Sequence, residues 1–204
     1  MHFLITAGGS REYIDPVRFI SNASSGKMGY ALARAAIAAG HKVTLITAPV
    51  SLRPPARANA VNVETGKEMF EAVKKYFDKC HCLIMAAAVS DYTPLRPSKK
   101  KIKKNRSELT LKLKPTTDIL KWAAKNKKNQ MVVGFALEDK ALRTRAKKKL
   151  TEKKLDMIIA NTTAAIGAET SSVQIKTPSS KWTQVGPAAK PLIAKKIIAL
   201  IQNM

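Results

Sequence analysis

The sequence is short of four things, and each shortage narrows what the chain can be. Cysteine occurs only at Cys80 and Cys82, around His81. That run lacks the usual zinc-ligand spacing, so two reduced, partly buried thiols are the favoured reading over a metal site. On a strand, Cys80 and Cys82 are expected to share one face and His81 to take the other. Aromatic residues make up only 5% of the chain and none is interleaved with the basic runs, unlike an RNA-binding sheet that stacks bases. No apolar run approaches the roughly 20 residues of a membrane span. The opening MHFLITAGG has no basic leader, so it reads as a first strand and the expected location is cytoplasmic, with no membrane partner. Acidic residues are the fourth scarcity: 14 Asp+Glu stand against 37 Lys+Arg, a net charge of +23.

An excess of that size attracts polyanions of any kind, from nucleic acid to nucleotide phosphates. Most of it is lysine gathered between residues 99 and 154. Charge alone does not choose among these partners. With 45% hydrophobic residues over 204 positions, a single domain spanning 1–204 with a proper core is expected.

Strand and helix signals alternate along the chain. Residues 2–7 form an apolar run closed by Gly8 and Gly9, a first buried strand. Residues 10–22 have mixed polarity around Asp15-Pro16 and read as a long loop. From Lys27, apolar positions recur at helical spacing until Gly40. KVTLITAPV is a second strand, a weak strand follows at 61–63, and a helix spans about 67–78. CLIMAAAV, VVGFAL and DMIIAN are apolar without alternation, the mark of strands covered on both faces. Residues 137–154 read as a strongly basic helix. SVQIKTPSSKWTQVG turns at Pro178 as an antiparallel hairpin, and PLIAKKIIALI closes as a helix with Pro191 in its first turn. The expected architecture is α/β, a Rossmann-like open and mostly parallel sheet flanked by helices, with a C-terminal hairpin and a basic flap at about 94–107.

Four stretches carry chemistry. SSGKMG at a helix start offers backbone N–H groups, hydroxyls and Lys27 to a phosphate; capping by Ser24 or Ser25 accounts for it equally well. It is no Walker A loop, because Lys27 is followed by Met28, and GGSREY is not a clean dinucleotide fingerprint. In AAAVSDY, small residues let a flat group approach a strand end, and Asp91 either accepts bonds from a base or ribose, holds Mg²⁺, or caps a turn. KKKIKK, residues 99–104, is a solvated charge run or a source of cations for a site. Lys149 and Lys153, four apart on one helix face, are mutually unfavourable unless an anion sits between them.

ITAGGSREYIDPVRFISNASSGKMGYALA, AAAVSDY, KIKK, GFALE and LDMIIAN stand here in the order seen in phosphopantothenate–cysteine ligases. The resemblance is to the bacterial, CTP-dependent type and runs from Phe3 to about Lys176. It implies an enzyme of coenzyme A biosynthesis that joins 4'-phosphopantothenate to cysteine through an acyl-cytidylate, releasing pyrophosphate and then CMP. It also implies CTP as co-substrate, Mg²⁺ held by residues it does not identify, and a homodimer. By resemblance Asn22 and Lys101 are catalytic, Lys101 also touching the nucleotide from a mobile flap. Asp91, Phe135, Lys149, Lys153 and the backbone at Ala86 and Ala87 resemble nucleotide contacts. So does the stretch Thr117, Asp118, Ile119 and Leu120. Ser24, Gly26 and Gly29 resemble residues serving phosphate oxygens, the triphosphate being favoured over the substrate phosphate.

Two departures stand out. Thr117 replaces the family's usual proline, which is expected to loosen base selection, and Thr162 follows Asn161 where an aspartate is common. The family is often fused to an N-terminal flavin-dependent decarboxylase; this chain begins at the synthetase strand, so no flavin is expected. The alternatives are a basic nucleic-acid-binding α/β protein and a nicotinamide-dependent Rossmann oxidoreductase. The first predicts a steep loss of affinity with salt, and the second lacks its complete fingerprint here.

Overall fold

The chain crosses its sheet first to one side of its opening strand and then to the other, and that reversal positions everything else. The computed structural model describes residues 1–104 and 108–204; the end of the expected flap, residues 105–107, lies outside them. From the N-terminus, β1 (His2–Ala7) leads into a hairpin, β2 (Arg11–Tyr13) and β3 (Phe19–Ser21), then α1 (Lys27–Ala38), β4 (Lys42–Thr47), β5 (Asn59–Asn62) and α2 (Gly66–Phe77). The middle holds β6 (Cys82–Met85), a second hairpin of β7 (Tyr92–Pro94) and β8 (Leu113–Pro115), α3 (Ile119–Asn126) and β9 (Met131–Glu138). The chain continues through α4 (Leu142–Glu152), β10 (Met157–Thr162), β11 (Thr170–Lys176), β12 (Thr183–Ala189) and α5 (Lys190–Gln202).

Eight of these strands form one sheet in the order β12-β11-β10-β9-β6-β1-β4-β5. Six are parallel, and β11 and β12 add an antiparallel end. The parallel six follow the strand order of doubly wound dinucleotide-binding folds, with the switch point between β1 and β6. The strands run apolar because helices cover both faces. Phe3, Ile5 and Ala7 meet α1 and α5 on one side. Leu4, Ile46 and Leu83 meet α2, α3 and α4 on the other.

Local chemistry sets the helix starts. Thr65 caps α2 by accepting from Glu68 N–H at 3.1 Å, and the Glu68 carboxylate reaches back to Glu64 N–H at 2.8 Å, a variant of the capping box. Asp118 caps α3 by accepting from Lys121 N–H at 3.0 Å. Pro191 occupies the first turn of α5.

Several expectations need correction. Residues 10–22 hold the β2–β3 hairpin instead of a loop. The Asp15 carboxylate accepts the backbone N–H groups of Val17 and Arg18, each at 2.8 Å, and so makes the turn that polarity alone did not reveal. The basic helix is shorter than 137–154, because Leu137 and Glu138 finish β9 and α4 starts at Leu142. Strand β6 stops at Met85, leaving 86–89 as connecting backbone. Cys80 and Cys82 fall in the cores of opposite faces; Cys80 precedes β6, so strand alternation does not apply to it. Burial pushes both thiols up, Cys80 to about 12. Among the described residues, no cluster of three His, Cys, Asp or Glu side chains is placed to hold a metal, and no helix is long and apolar enough to cross a membrane.

Gly29 lets α1 lie directly on β1: a Cβ there would come within 2.6 Å of the Ala7 Cβ and 2.9 Å of the Thr6 carbonyl oxygen. Neither neighbour is the end of a flexible side chain. Gly29→Ala is therefore expected to cost about 1–3 kcal/mol by overpacking, read as a lowered urea midpoint. An unchanged midpoint would show that α1 can move off the strand.

Candidate active site at the switch point

Two strand exits are sewn together where the sheet reverses direction. Ala88 N–H donates to the Gly8 carbonyl at 2.8 Å, and Ser10 N–H to the Ala88 carbonyl at 3.3 Å. Side chains reinforce this seam. Thr6 Oγ1 accepts from Ala87 N–H at 3.1 Å, and Ser10 Oγ accepts from Ser90 N–H at 3.0 Å. Ser10 Oγ in turn donates to the buried Glu12 carboxylate, which also takes Gly66 N–H at 2.9 Å. The β2–β3 hairpin, the start of α2 and the exit of β6 are thus held as one unit.

Asn22 leaves β3 over this seam and donates its side-chain N–H groups to the Ala88 and Val89 carbonyls at 3.2 and 3.3 Å. Gly9 has no side chain to obstruct that crossing; a Cβ would meet the Asn22 carbonyl oxygen at 2.5 Å. The chain then enters α1 through Gly26, whose φ of 72° favours glycine. Among the described residues, no side chain caps α1. Capping by Ser24 or Ser25 is therefore not what these residues do; Ser24 Oγ instead accepts from Gly26 N–H at 3.4 Å. The first-turn N–H groups remain available to an anion.

A cleft of about 440 Å³ opens above the seam, walled by α1, residues 86–91, β9, α4 and the segment after β10. Three ammonium groups reach it from different elements. Lys27 pairs with Glu169 and donates to the Gly167 carbonyl at 3.1 Å. Lys149 donates to the Phe135 carbonyl at 2.7 Å. Lys190 donates to the Ala165 carbonyl at 3.0 Å. Among the described residues, Asp91 is the one carboxylate that lines the cleft. Burial, helped by the like charge of Lys153, pulls the Lys149 ammonium below the ordinary lysine value, against the pull of Asp118, Asp91 and Glu138.

Of the residues singled out by sequence, the cleft gathers Asn22, Ser24, Gly26, Gly29, Ala86, Ala87, Asp91, Phe135 and Lys149. Thr117, Asp118, Ile119, Leu120, Lys153 and Lys101 are not among its lining residues. Lys153 pairs with Asp118 at 2.8 Å, so the expected anion between Lys149 and Lys153 gives way to an internal carboxylate beside Lys153. Burial raises the Asp118 carboxyl, but hydrogen bonds from Lys153 and Lys121 N–H leave it below the usual carboxylate range. Ile119 and Leu120 are buried in the core under α2 and α4. Lys101 is exposed beside Ile102, whose N–H donates to the Asp15 carboxylate at 3.1 Å and whose carbonyl accepts from Arg18. Sequence reasoning missed Lys190. Its one signal is position, a lysine opening a helix where the dipole disfavours it.

The whole chain, residues 1–204, matches the DNA/pantothenate metabolism flavoprotein C-terminal domain. The chain belongs to that family. Relatives of this family include the coenzyme A biosynthesis bifunctional protein CoaBC of Bacillus subtilis, 48% identical over 82% of the chain and 41% of the relative. A cysteine/cysteine sulfinic acid decarboxylase from an unknown prokaryotic organism is 46% identical over 98% of the chain and 57% of the relative. The chain thus spans about half the length of the curated relatives it matches. Among solved structures, the C-terminal domain of CoaBC is 36% identical, with a TM-score of 0.87 over all of the chain and 94% of that domain. The DNA/pantothenate metabolism flavoprotein from Streptococcus pneumoniae is 25% identical, with the same TM-score, over all of the chain and 99% of that structure.

The depressed Lys149 predicts the pH behaviour of the cleft. An anion binds the protonated ammonium, so the affinity of the cleft for an anion such as inorganic pyrophosphate should fall as pH rises through the lowered Lys149 titration. Binding there should take up protons. Calorimetry in two buffers of different ionisation heat checks this, and Lys149→Gln should flatten the pH profile.

Proposed function

We propose that the chain is a phosphopantothenate–cysteine ligase that uses CTP. The observation that carries the reading is a cleft at the switch point lined by three lysines, an uncapped helix start and one carboxylate. The family membership and the names of the CoaBC relatives point the same way.

The chemistry asks for such a site. A carboxylate does not acylate an amine at neutral pH until its oxygen becomes part of a good leaving group. In the first step the carboxylate oxygen of phosphopantothenate forms a bond to the α-phosphorus of CTP, and the bond to the β-phosphate breaks to release pyrophosphate. In the second, the cysteine amine attacks the acyl carbon and CMP leaves with its oxygen. Two anions must meet in the first step, and fixed cations offset their repulsion. Lys149, Asp91, Phe135 and the backbone at Ala86 and Ala87 hold the nucleoside side in this reading. Ser24, Gly26, Gly29 and the first turn of α1 hold its phosphates. Asp118 and Lys153 brace Lys149 from behind, with Thr117, Ile119 and Leu120 setting the position of that capped turn. Asn22, whose donors bind the Ala88 and Val89 carbonyls, fixes the floor on which the acyl group lies.

The donor set fits Mg²⁺ of one kind. A single cleft carboxylate, Asp91, suits an ion that keeps several waters and arrives on substrate phosphates, not one caged by protein. Such an ion would neutralise phosphate charge during the first step.

Lys101 acts in the cysteine step by this proposal, from a flap fastened to the β2–β3 hairpin through Ile102 and Asp15. Because Lys101 does not line its own chain's cleft, it serves the cleft of a second copy in a homodimer. Exposed Val17, Phe19, Tyr92, Leu95 and Leu113 on the two hairpins supply an apolar surface for that pairing.

The purified chain should release pyrophosphate from CTP and Mg²⁺ only when phosphopantothenate is present; no release would end the ligase reading. Lys101→Gln should still form the acyl-cytidylate yet lose product by at least tenfold. Mixing Lys101→Gln with a cleft-defective Lys149→Gln protein should restore part of the activity if the flap works across the dimer. Light scattering that reports monomers only would remove that arrangement.

A further inference from the structure

Among the described residues, one cation of the cleft has no carboxylate of its own to offset its burial. Lys190, the first residue of α5, is only 7% exposed, yet it lines the cleft. Its ammonium donates to the Ala165 carbonyl, and the carboxylate beside it, Glu169, is engaged by Lys27. A buried ammonium without its own counter-ion is unfavourable, and its place at a helix start sets it against the dipole as well. Burial and the like charge of Lys27 pull it below the ordinary lysine value, with Glu169 opposing. Lys27, Lys190 and the uncapped start of α1 all repel cations and all border the same volume. Lys27 already has Glu169; what satisfies Lys190 and the helix start together is an anion with several oxygens.

The position within the cleft says which anion. Lys149 comes from α4, on the sheet face shared with α2 and α3, whereas Lys27 and Lys190 come from α1 and α5 on the opposite face. A nucleoside triphosphate held at its base end by Phe135, Asp91 and Lys149 therefore extends its phosphates across the sheet edge toward Lys190. We propose that Lys190 binds the terminal phosphates of the nucleotide, the part that departs as pyrophosphate. This rests on the ligase reading for the identity of the leaving group. As the carboxylate oxygen bonds to the α-phosphorus, the electron pair of the breaking bond passes to the β-phosphate oxygen. The Lys190 ammonium stands where that charge collects.

The test is titration calorimetry of inorganic pyrophosphate and of CMP, on the full chain and on Lys190→Met and Lys190→Gln. Glutamine removes the charge while keeping a donor for the Ala165 carbonyl. Both variants should bind pyrophosphate at least tenfold more weakly and CMP within twofold of the parent. Lys190→Met, relieved of a buried charge, should show a thermal midpoint no lower than the parent's. Rescue of pyrophosphate affinity by Lys190→Arg would add support. Equal pyrophosphate affinity in parent and variants would overturn the proposal. So would parallel losses for pyrophosphate and CMP, or a parent that fails to bind pyrophosphate. A parent that binds pyrophosphate through Lys190 but releases none from CTP and phosphopantothenate leaves this site standing and removes the ligase reading instead.

Discussion

The seam between the exits of β1 and β6 is the constraint on which the rest of the molecule depends. Two parallel strands that leave their sheet side by side would ordinarily diverge into separate crossovers. Here the backbone at Gly8, Ser10 and Ala88 continues the pairing for a few more residues. The hydroxyls of Thr6 and Ser10 then satisfy the N–H groups of Ala87 and Ser90 that the pairing leaves over. Small residues are needed throughout, because the Asn22 carbonyl passes where any Cβ on Gly9 would sit. The seam gives the cleft a floor of fixed backbone groups, costing no reorganisation when a ligand arrives.

The lysines around that floor divide by the company they keep. Lys153 and Lys127 are each neutralised by an aspartate at 2.8 Å, and these pairs brace helix ends. Lys149 and Lys190 lean on carbonyl oxygens, which orient an ammonium without cancelling its charge. The +23 excess is therefore a poor guide to the site: the informative cations are the few that are buried and left charged, while most of the lysines are exposed.

The sheet was legible because its strands are apolar on both faces, and that pattern survives without knowledge of the fold. The parallel core follows from it, while the closing hairpin was read from its turn at Pro178 and α1, α2 and α5 from helical signals. The β2–β3 hairpin was not legible, since its turn is made by one side chain, Asp15, within a polar stretch. Helix α3 was hidden for a similar reason: only Ile119, Leu120 and Ala123 are buried in it, too few to establish a period. The cleft residues near α1 could be read because a small-residue turn before a helix has a chemical meaning. The third glycine of a dinucleotide fingerprint is present in function as Gly29, but the inserted hairpin separates it from Gly8 and Gly9, so no contiguous motif remained to find. Lys190 lies far along the chain from the other cleft residues, and only folding makes it their neighbour.

The packing of α5 beside α1 has a consequence for how the molecule is assembled. Helix α1 and β1 leave the ribosome before α5, but the apolar surface that joins Ala33 and Ala36 to Ile197, Ile198 and Ile201 is completed only by that later helix. Contacts between such distant segments are slow to form. Until they do, the face of α1 and of the sheet that α5 covers stays wet, and a chain halted before residue 190 would carry that apolar strip into solvent.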